Sequence, residues 1–448
     1  MSAAKFPGRS KRTSEVTDAR VAAADICADL RRGEFLDPAF ERRTALLDVR
    51  DRRWTRELVY GMLRRRAAID AILDARVKNG IAQLTPEVRD LLRLGVQQLL
   101  HMGSVPAYAA IAQTVELTKR RDSHGAAGLV NAVLRRVDRE RDSLDVPMPS
   151  DPLEALAIRE SHPEWLVRRW AARFGYEGVA RLLIANNAEA PLVARPIGVS
   201  SEELAAQLRE AGAEVEEAPL AAGSLVLRNV GALTAIGAFR QGHFHLQDPA
   251  STLVTQYAAF AAGALVGDLC AAPGGKGVEL ARTAGAVFSA DISEARLARV
   301  VENVERLHLT NLFPCVADAR VPALRQVDAV LIDVPCTGTG TFRRHPDGRW
   351  RLRASDLAVM GTLQRDILCA AAEVVRPGGL LVYSTCSLEP EENDDQVDRF
   401  LEERPEWRLE PPEPGTVPDE VVDAGRLRVL PHVHGTDGAF AARLRRSA

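Results

Sequence analysis

The chain has no run near the ~18 uncharged apolar residues that a membrane-spanning helix requires, and its longest candidate, residues 257–267, stops well short. No apolar segment of a secretory signal accompanies Lys5, Arg9, Lys11 and Arg12, so a cytoplasmic location is expected. Cysteine is sparse. Cys27, Cys270, Cys315, Cys336, Cys369 and Cys386 include no CxxC pair, which excludes a disulfide scaffold and leaves reduced thiols. The pairs His243/His245 and His432/His434 lack cysteines at zinc spacing, so no metal is expected. Lysine is nearly missing, because 53 of the 58 basic residues are arginine. Internal repeats and long low-complexity tracts are also lacking, which excludes a repeat array.

What is present describes a globular protein of about three domains, from 448 residues at ~150 per domain, with 46% hydrophobic and 27% charged residues. The net charge of −3 is unevenly spread. Residues 1–150 carry 27 basic against 20 acidic side chains, or +7, and the remainder 31 against 41, or −10. A basic first third suits a polyanionic partner, although an arginine-favouring codon bias would supply the same excess. After a basic tail to about Arg12, helical periodicity runs from Ser14 to about Val137. Over residues 86–101, Val88, Leu91, Leu92, Gly95, Val96, Leu99 and Leu100 recur at three- and four-residue steps. Residues 21–30, 58–73, 111–117 and 129–137 repeat the pattern, and the proline-rich stretch 142–152 interrupts it. Two helices are expected over 163–187, then a small α+β module with an extended stretch at 192–197, a helix at 201–211 and strands near Val215 and over 225–227. From His245 onward, apolar runs at 265–269, 286–290, 330–332 and 380–383 alternate with helical patterns, which predicts a parallel sheet covered on both faces. The expected domains are 14–142 (helical), 153–244 (linker helices and α+β module) and 245–448 (α/β).

The run VGDLCAAPGGKG, residues 266–277, sets a buried strand before a glycine-rich turn and a helix, where open α/β sheets bind small ligands. A phosphate loop would need Gly at Cys270 and Ser or Thr at Gly277, and the dinucleotide fingerprint GxGxxG is missing, which disfavours a nicotinamide dehydrogenase. The next strand ends at Asp291, 17 residues beyond Gly274, where a carboxylate can accept from both ribose hydroxyls. Asp318 follows a further strand, in reach of an adenine amino group. Either aspartate alone would pass for a turn former. Lys276 is the only lysine after Lys119, at a place where a compact ammonium is wanted. Two more strand ends present cysteines in Pro-, Gly- and Ser-rich loops: Asp333 and Cys336 in DVPCTGTG, and Cys386 in YSTCSLEPEEN. Cys27, Cys315 and Cys369 read instead as small buried hydrophobes.

In order, LCAAPGGK, SADIS, ADAR, DVPCTGTGTFRRHPDGRW, YSTCSLEPEEN and HGTDGAFAARL resemble the bacterial 16S ribosomal RNA cytosine-5 methyltransferases of the RsmB (Sun) family. The resemblance spans nearly the whole chain. It implies an all-α NusB-like RNA-binding domain in front, and behind the α+β module a Rossmann-like methyltransferase domain that uses S-adenosylmethionine. By the same resemblance, Cys386 is the nucleophile that adds to cytosine C6, Cys336 the base that removes the C5 proton, and Asp333 the group that binds the pyrimidine edge and borders the cofactor. Cys270, Ala271, Ala272, Pro273, Gly274, Gly275, Lys276, Asp291 and Asp318 are expected around the cofactor. The expected partner is ribosomal RNA with a single-stranded or flipped cytosine, bound by a monomer. Transfer RNA is the rival substrate, and a mainly non-catalytic RNA-binding factor the rival class; the intact turn, the carboxylates and both cysteines disfavour the latter. Gly267, Gly277 and Ala439 depart from the family pattern, where an apolar residue, a threonine and an aromatic are expected.

Overall fold

The structure is a computed structural model that describes residues 16–448. The basic tail to Arg12 and the expected domain start at Ser14 lie outside the described residues. The chain divides into two compact units, one comprising residues up to Ala180 with His345–Trp350, the other Arg181–Arg344 with Arg351–Ala448. Among the described residues no helix is long and apolar enough to cross a membrane.

The first unit is helical. Its central helix, Pro86–His101, starts where the Thr85 hydroxyl accepts from the Val88 amide and Pro86 occupies the first turn, as capping chemistry favours. Leu91, Leu92 and Val96 on this helix are buried with Ile26, Cys27, Leu58, Val130 and Leu134. The pattern expected over 58–73 is two helices, Val49–Arg64 and Arg66–Asp74, because Arg65 leaves helical dihedrals at φ −113°, ψ 14°. The late segment His345–Trp350 also packs in this unit: the Trp350 indole donates to the Leu63 carbonyl (2.8 Å), and Asp347 accepts from the Leu36 amide (3.3 Å).

The helix Glu164–Asn187 breaks at Gly175 (φ +70°), which accounts for two helical patterns where one element runs. In the second unit, β1 (Leu192–Pro196), β2 (Glu214–Glu217), β3 (Leu225–Arg228) and β4 (Phe244–Leu246) form an antiparallel sheet in the order β2-β3-β1-β4. It buries Leu225, Leu227 and Phe244 with Leu204 and Leu208 of the helix Ser201–Glu210, which opens with a Ser200/Glu203 capping box.

The larger sheet joins β5 (Leu265–Asp268), β6 (Ala286–Asp291), β7 (Leu312–Val316), β8 (Val327–Asp333) and β9 (Val375–Thr385) in parallel, in the order β9-β8-β5-β6-β7. Alternate β8 residues enter opposite cores, Ala329 and Leu331 on one face, Val330 and Ile332 on the other, so the strand reads as one apolar run. The expectation of a purely parallel sheet needs correction. β10 (Trp407–Leu409), β11 (Val422–Asp423), β12 (Arg426–Val429) and β13 (Ala439–Arg446) extend it antiparallel, with β13 seated between β9 and β12. Chain order reverses between β5 and β8, so a crevice opens beyond the carboxyl ends of those two strands.

Candidate active site

The turn after β5 builds one wall of that crevice. Gly274 has φ +104°, and a Cβ there would lie 3.2–3.4 Å from Val300, so a residue without a side chain lets the chain swing into the helix Gly275–Leu280. Lys276 in its first turn donates to Asp333 Oδ2 at the end of β8, 2.6 Å away. Burial pulls the Lys276 ammonium down, but the charge and hydrogen bond of Asp333, helped by Cys386 and Asp268, hold it above the ordinary lysine range. Asp268 is fully enclosed, and burial pushes its carboxyl up to about 7 against the pull of Lys276. One of its oxygens, Oδ1, has no hydrogen-bond partner among the described residues. The departure at Gly277 has a local cause, since a Cβ there would meet Ser289 Oγ at 2.7 Å and Asp268 Oδ2 at 2.9 Å.

A cavity of about 490 Å³ lies in the crevice, lined by Cys270, Ala272, Asp291, Asp318, Asp333, Cys336 and Cys386 among others. Asp291 is buried at the end of β6. Its two oxygens accept from the Ala272 amide (3.1 Å) and the Ser293 amide (2.9 Å), and the Arg296 guanidinium stands 3.4 Å from Oδ2, which together fix the carboxylate. Asp318 stands nearer solvent, paired with Arg320, whose hydrogen bonds hold its carboxyl below the usual range. Burial, reinforced by Asp268, Asp333 and Asp291, raises the Cys270 thiol far above the ordinary range, so it lines the cavity as an inert group. Ala271, Pro273, Gly274 and Gly275 shape the turn: the Ala271 amide donates to the Ala290 carbonyl (2.9 Å) and the Gly274 amide to that of Ala271 (2.7 Å).

Cys336 and Cys386 enter the cavity from the loops after β8 and β9, with their sulfurs 3.3 Å apart. The hydrogen bond with Cys386, then burial, the Cys386 charge, Glu392 and Asp333 together push the Cys336 thiol well up. Asp333 is held on both oxygens, by Lys276 on Oδ2 and by the Ser384 hydroxyl on Oδ1 (2.8 Å). The two cysteine loops cross a third. The Gly340 amide donates to the Cys386 carbonyl (2.9 Å), and the Gly438 amide to the Gly340 carbonyl (2.8 Å). Any Cβ on Gly340 would come within 2.7 Å of both the Cys386 oxygen and Gly438 Cα. Behind the crossing, Arg343 and Arg344 bind Asp248 (2.7 and 2.6 Å) and Asp437 in a buried quartet.

Comparison with known proteins decides the family. Residues 259–445 match the family described as 16S rRNA methyltransferase RsmB/F, 17–139 the NusB family, and 162–234 the ferredoxin-like domain of RsmF/B-like methyltransferases. The chain is 35% identical to the probable ribosomal RNA small subunit methyltransferase B of Bacillus subtilis, covering 87% of this chain and 89% of that one. It is also 35% identical to ribosomal RNA small subunit methyltransferase B of Vibrio cholerae, covering 92% and 93%. The chain belongs to this family. It is an RNA methyltransferase with a NusB helical domain, a ferredoxin-like module and a methyltransferase domain built on a mixed sheet. The crystal structure of PH0851, 27% identical, superposes with a TM-score of 0.80 over 96% of this RsmB/F-family chain and 99% of its own.

Three contributors to the site escaped the sequence reading. Asp268 ends an apolar strand and carries no mark of a function. Ser384 stands two residues before Cys386 yet anchors Asp333 on the neighbouring strand. Glu392 is one of three glutamates in LEPEEN, and only the fold distinguishes it: fully buried, it accepts from the Thr337 amide (2.9 Å), the Thr337 hydroxyl, the Gln364 amide (3.0 Å) and the Ser387 hydroxyl.

Proposed function

We propose that this protein transfers a methyl group from S-adenosylmethionine to C5 of a cytosine in 16S ribosomal RNA, through a covalent cysteine adduct at C6. The observation that carries the reading is the pair of thiols, 3.3 Å apart, lining one cavity with Asp291 and with Cys270 and Ala272 of the turn after β5. The names of the relatives supply the ribosomal small subunit as substrate. The cavity residues suit an adenosyl ligand: Asp291, with Oδ1 bonded only to the Ser293 amide and Oδ2 shared by the Ala272 amide and Arg296, can accept from ribose hydroxyls, and Asp318 lines the same cavity for an exocyclic amine. When bound, S-adenosylmethionine supplies an electrophilic methyl on a sulfonium.

Cytosine C5 is a poor nucleophile, so a thiolate must first add to C6. The Cys386 sulfur forms that bond, and the C5–C6 double-bond electrons make C5 nucleophilic. C5 then takes the methyl group as the bond from methyl to sulfonium breaks, leaving S-adenosylhomocysteine. Asp333, held by Lys276 and Ser384, accepts from the amino edge of the ring. The Cys336 thiolate removes the C5 proton, the ring double bond re-forms, and Cys386 departs as thiolate. Bisulfite sequencing of 16S and transfer RNA from a deletion strain, with and without the gene restored, tests the substrate. One 16S cytosine should lose its protection in the deletion strain and regain it on complementation, while loss at a transfer RNA position instead would overturn the assignment.

A further inference from the structure

Two cysteines face the same cavity, and nothing in their own chemistry says which should ionise. Their surroundings differ. Glu392 is buried between the loops, with more of its contacts on the Cys336 loop: its carboxyl group takes the Thr337 amide and hydroxyl from the residue after Cys336, and the Ser387 hydroxyl from the residue after Cys386. The Gln364 amide completes the shell and is itself tied to the Pro335 carbonyl (2.9 Å). Every one of these donors is neutral, so none brings a cation to the Glu392 carboxyl group. The Lys276 ammonium, hydrogen-bonded to Asp333, is close enough for its charge to be felt at Cys386. The remaining ionisable groups facing Cys336 are Asp333, from the end of β8, and Tyr383, from β9, whose hydroxyl donates to the Glu392 carbonyl (2.6 Å). Neither adds a cation there.

We propose that Glu392 is a positioning residue that joins the two cysteine loops and, with Lys276 opposite, polarises the thiol pair so that its proton rests on Cys336 and Cys386 carries the thiolate. This rests on the reading of Cys386 as nucleophile and explains why that cysteine, and not its neighbour, attacks. An anion on one side and a cation on the other bias a hydrogen-bonded pair in the same direction. The bias also relaxes on cue. Once Cys386 is bonded to C6 it no longer offers a thiolate to the Cys336 hydrogen across the 3.3 Å that separates the sulfurs. Cys336 can then release that proton to water and act as the base.

Glu392→Gln tests the proposal, because a glutamine fits the same space and can accept from the amides while donating to the hydroxyls. The readout is the rate of iodoacetamide labelling at each cysteine of the full-length protein against pH, resolved by peptide mass spectrometry. In the wild type, Cys386 should label faster than Cys336 at pH 7. In Glu392→Gln the midpoint for Cys336 should fall by about one pH unit, and the Cys386 to Cys336 labelling ratio at pH 7 should drop about fivefold. Lys276→Gln should slow Cys386 labelling, and it decides the matter if Glu392→Gln does not fold. A folded Glu392→Gln with an unchanged Cys336 midpoint, or Lys276→Gln with an unchanged ratio, overturns the proposal and leaves the nucleophile assignment standing. Faster labelling of Cys336 in the wild type, together with turnover by Cys386→Ala, overturns the assignment itself.

Discussion

Lys276 Nζ lies 2.6 Å from Asp333 Oδ2, an ion pair that spans the place where the strand order of the sheet turns back. It ties the glycine turn to the end of β8, three residues before Cys336. Lys276→Gln should therefore lower kcat/KM by about 10²-fold, the scale of losing one preorganised charge at a reacting centre. Radiolabelled methyl transfer to substrate RNA measures it, and an unchanged rate removes the pair from the mechanism.

Cys386→Ala should abolish turnover, by more than about 10³-fold, while cofactor affinity stays near wild type, because the thiolate acts on the base and not on the sulfonium. Calorimetry with S-adenosylhomocysteine and a methyl-transfer assay separate the two. Turnover above about a tenth of wild type is incompatible with this role.

Cys336→Ala should still form the C6 adduct and accept the methyl group, but fail to eliminate. Incubated with unmodified RNA and S-adenosylmethionine, it should give a slow band on denaturing electrophoresis that collapses with ribonuclease, and adding Cys386→Ala should remove the band. Repeated turnover with no trapped species would contradict the base assignment.

Asp291→Ala should weaken S-adenosylmethionine binding by about 1.5–3 kcal/mol, the scale of hydrogen bonds to a charged group. The Ala272 and Ser293 amides also lose their acceptor, so thermal stability should fall with it. Calorimetry that finds equal affinity for the variant rules out the ribose contact.

Gly340→Ala should displace the Cys386 backbone, because its Cβ would stand 2.7 Å from the Cys386 oxygen and from Gly438 Cα, backbone atoms that cannot swing aside. A shift near 1 Å at a nucleophile costs about 10²-fold in rate, so kcat should fall by that order while cofactor binding persists. Full activity in this variant would mean that the loop crossing does not set the position of the nucleophile.

The parts of the fold visible in the sequence are those where one physical period dominates. The helix Pro86–His101 matches its apolar spacing to the residue, and β5, β6 and β8 show as apolar runs because both faces of the sheet are covered. The antiparallel strands of the larger sheet, β10 to β13, were not visible. β11 has two residues, β10 three, and β13 ends in Arg443, Arg445 and Arg446, whose guanidinium groups find Glu410 and main-chain carbonyls instead of a hydrophobic partner. In the site, glycines and cysteines at strand ends could be picked out as chemistry out of place in a core. Glu392 could not, because a buried carboxylate is identified by the donors that surround it, and those come from residues 28 to 55 positions away as well as from its own loop.

β13 takes its place between β9 and β12, and Asp437 and Gly438 just before it close the crossing over Cys386. The Cys386 loop is thus fastened by a segment that a ribosome makes after every other strand of the sheet. A nascent chain with its glycine turn, both cysteines and Asp333 already translated would still hold Cys386 on an unpinned loop beside an unpaired edge of β9. Order of synthesis therefore separates having the catalytic groups from being able to use them, and the enzyme's competence arrives late in its own translation.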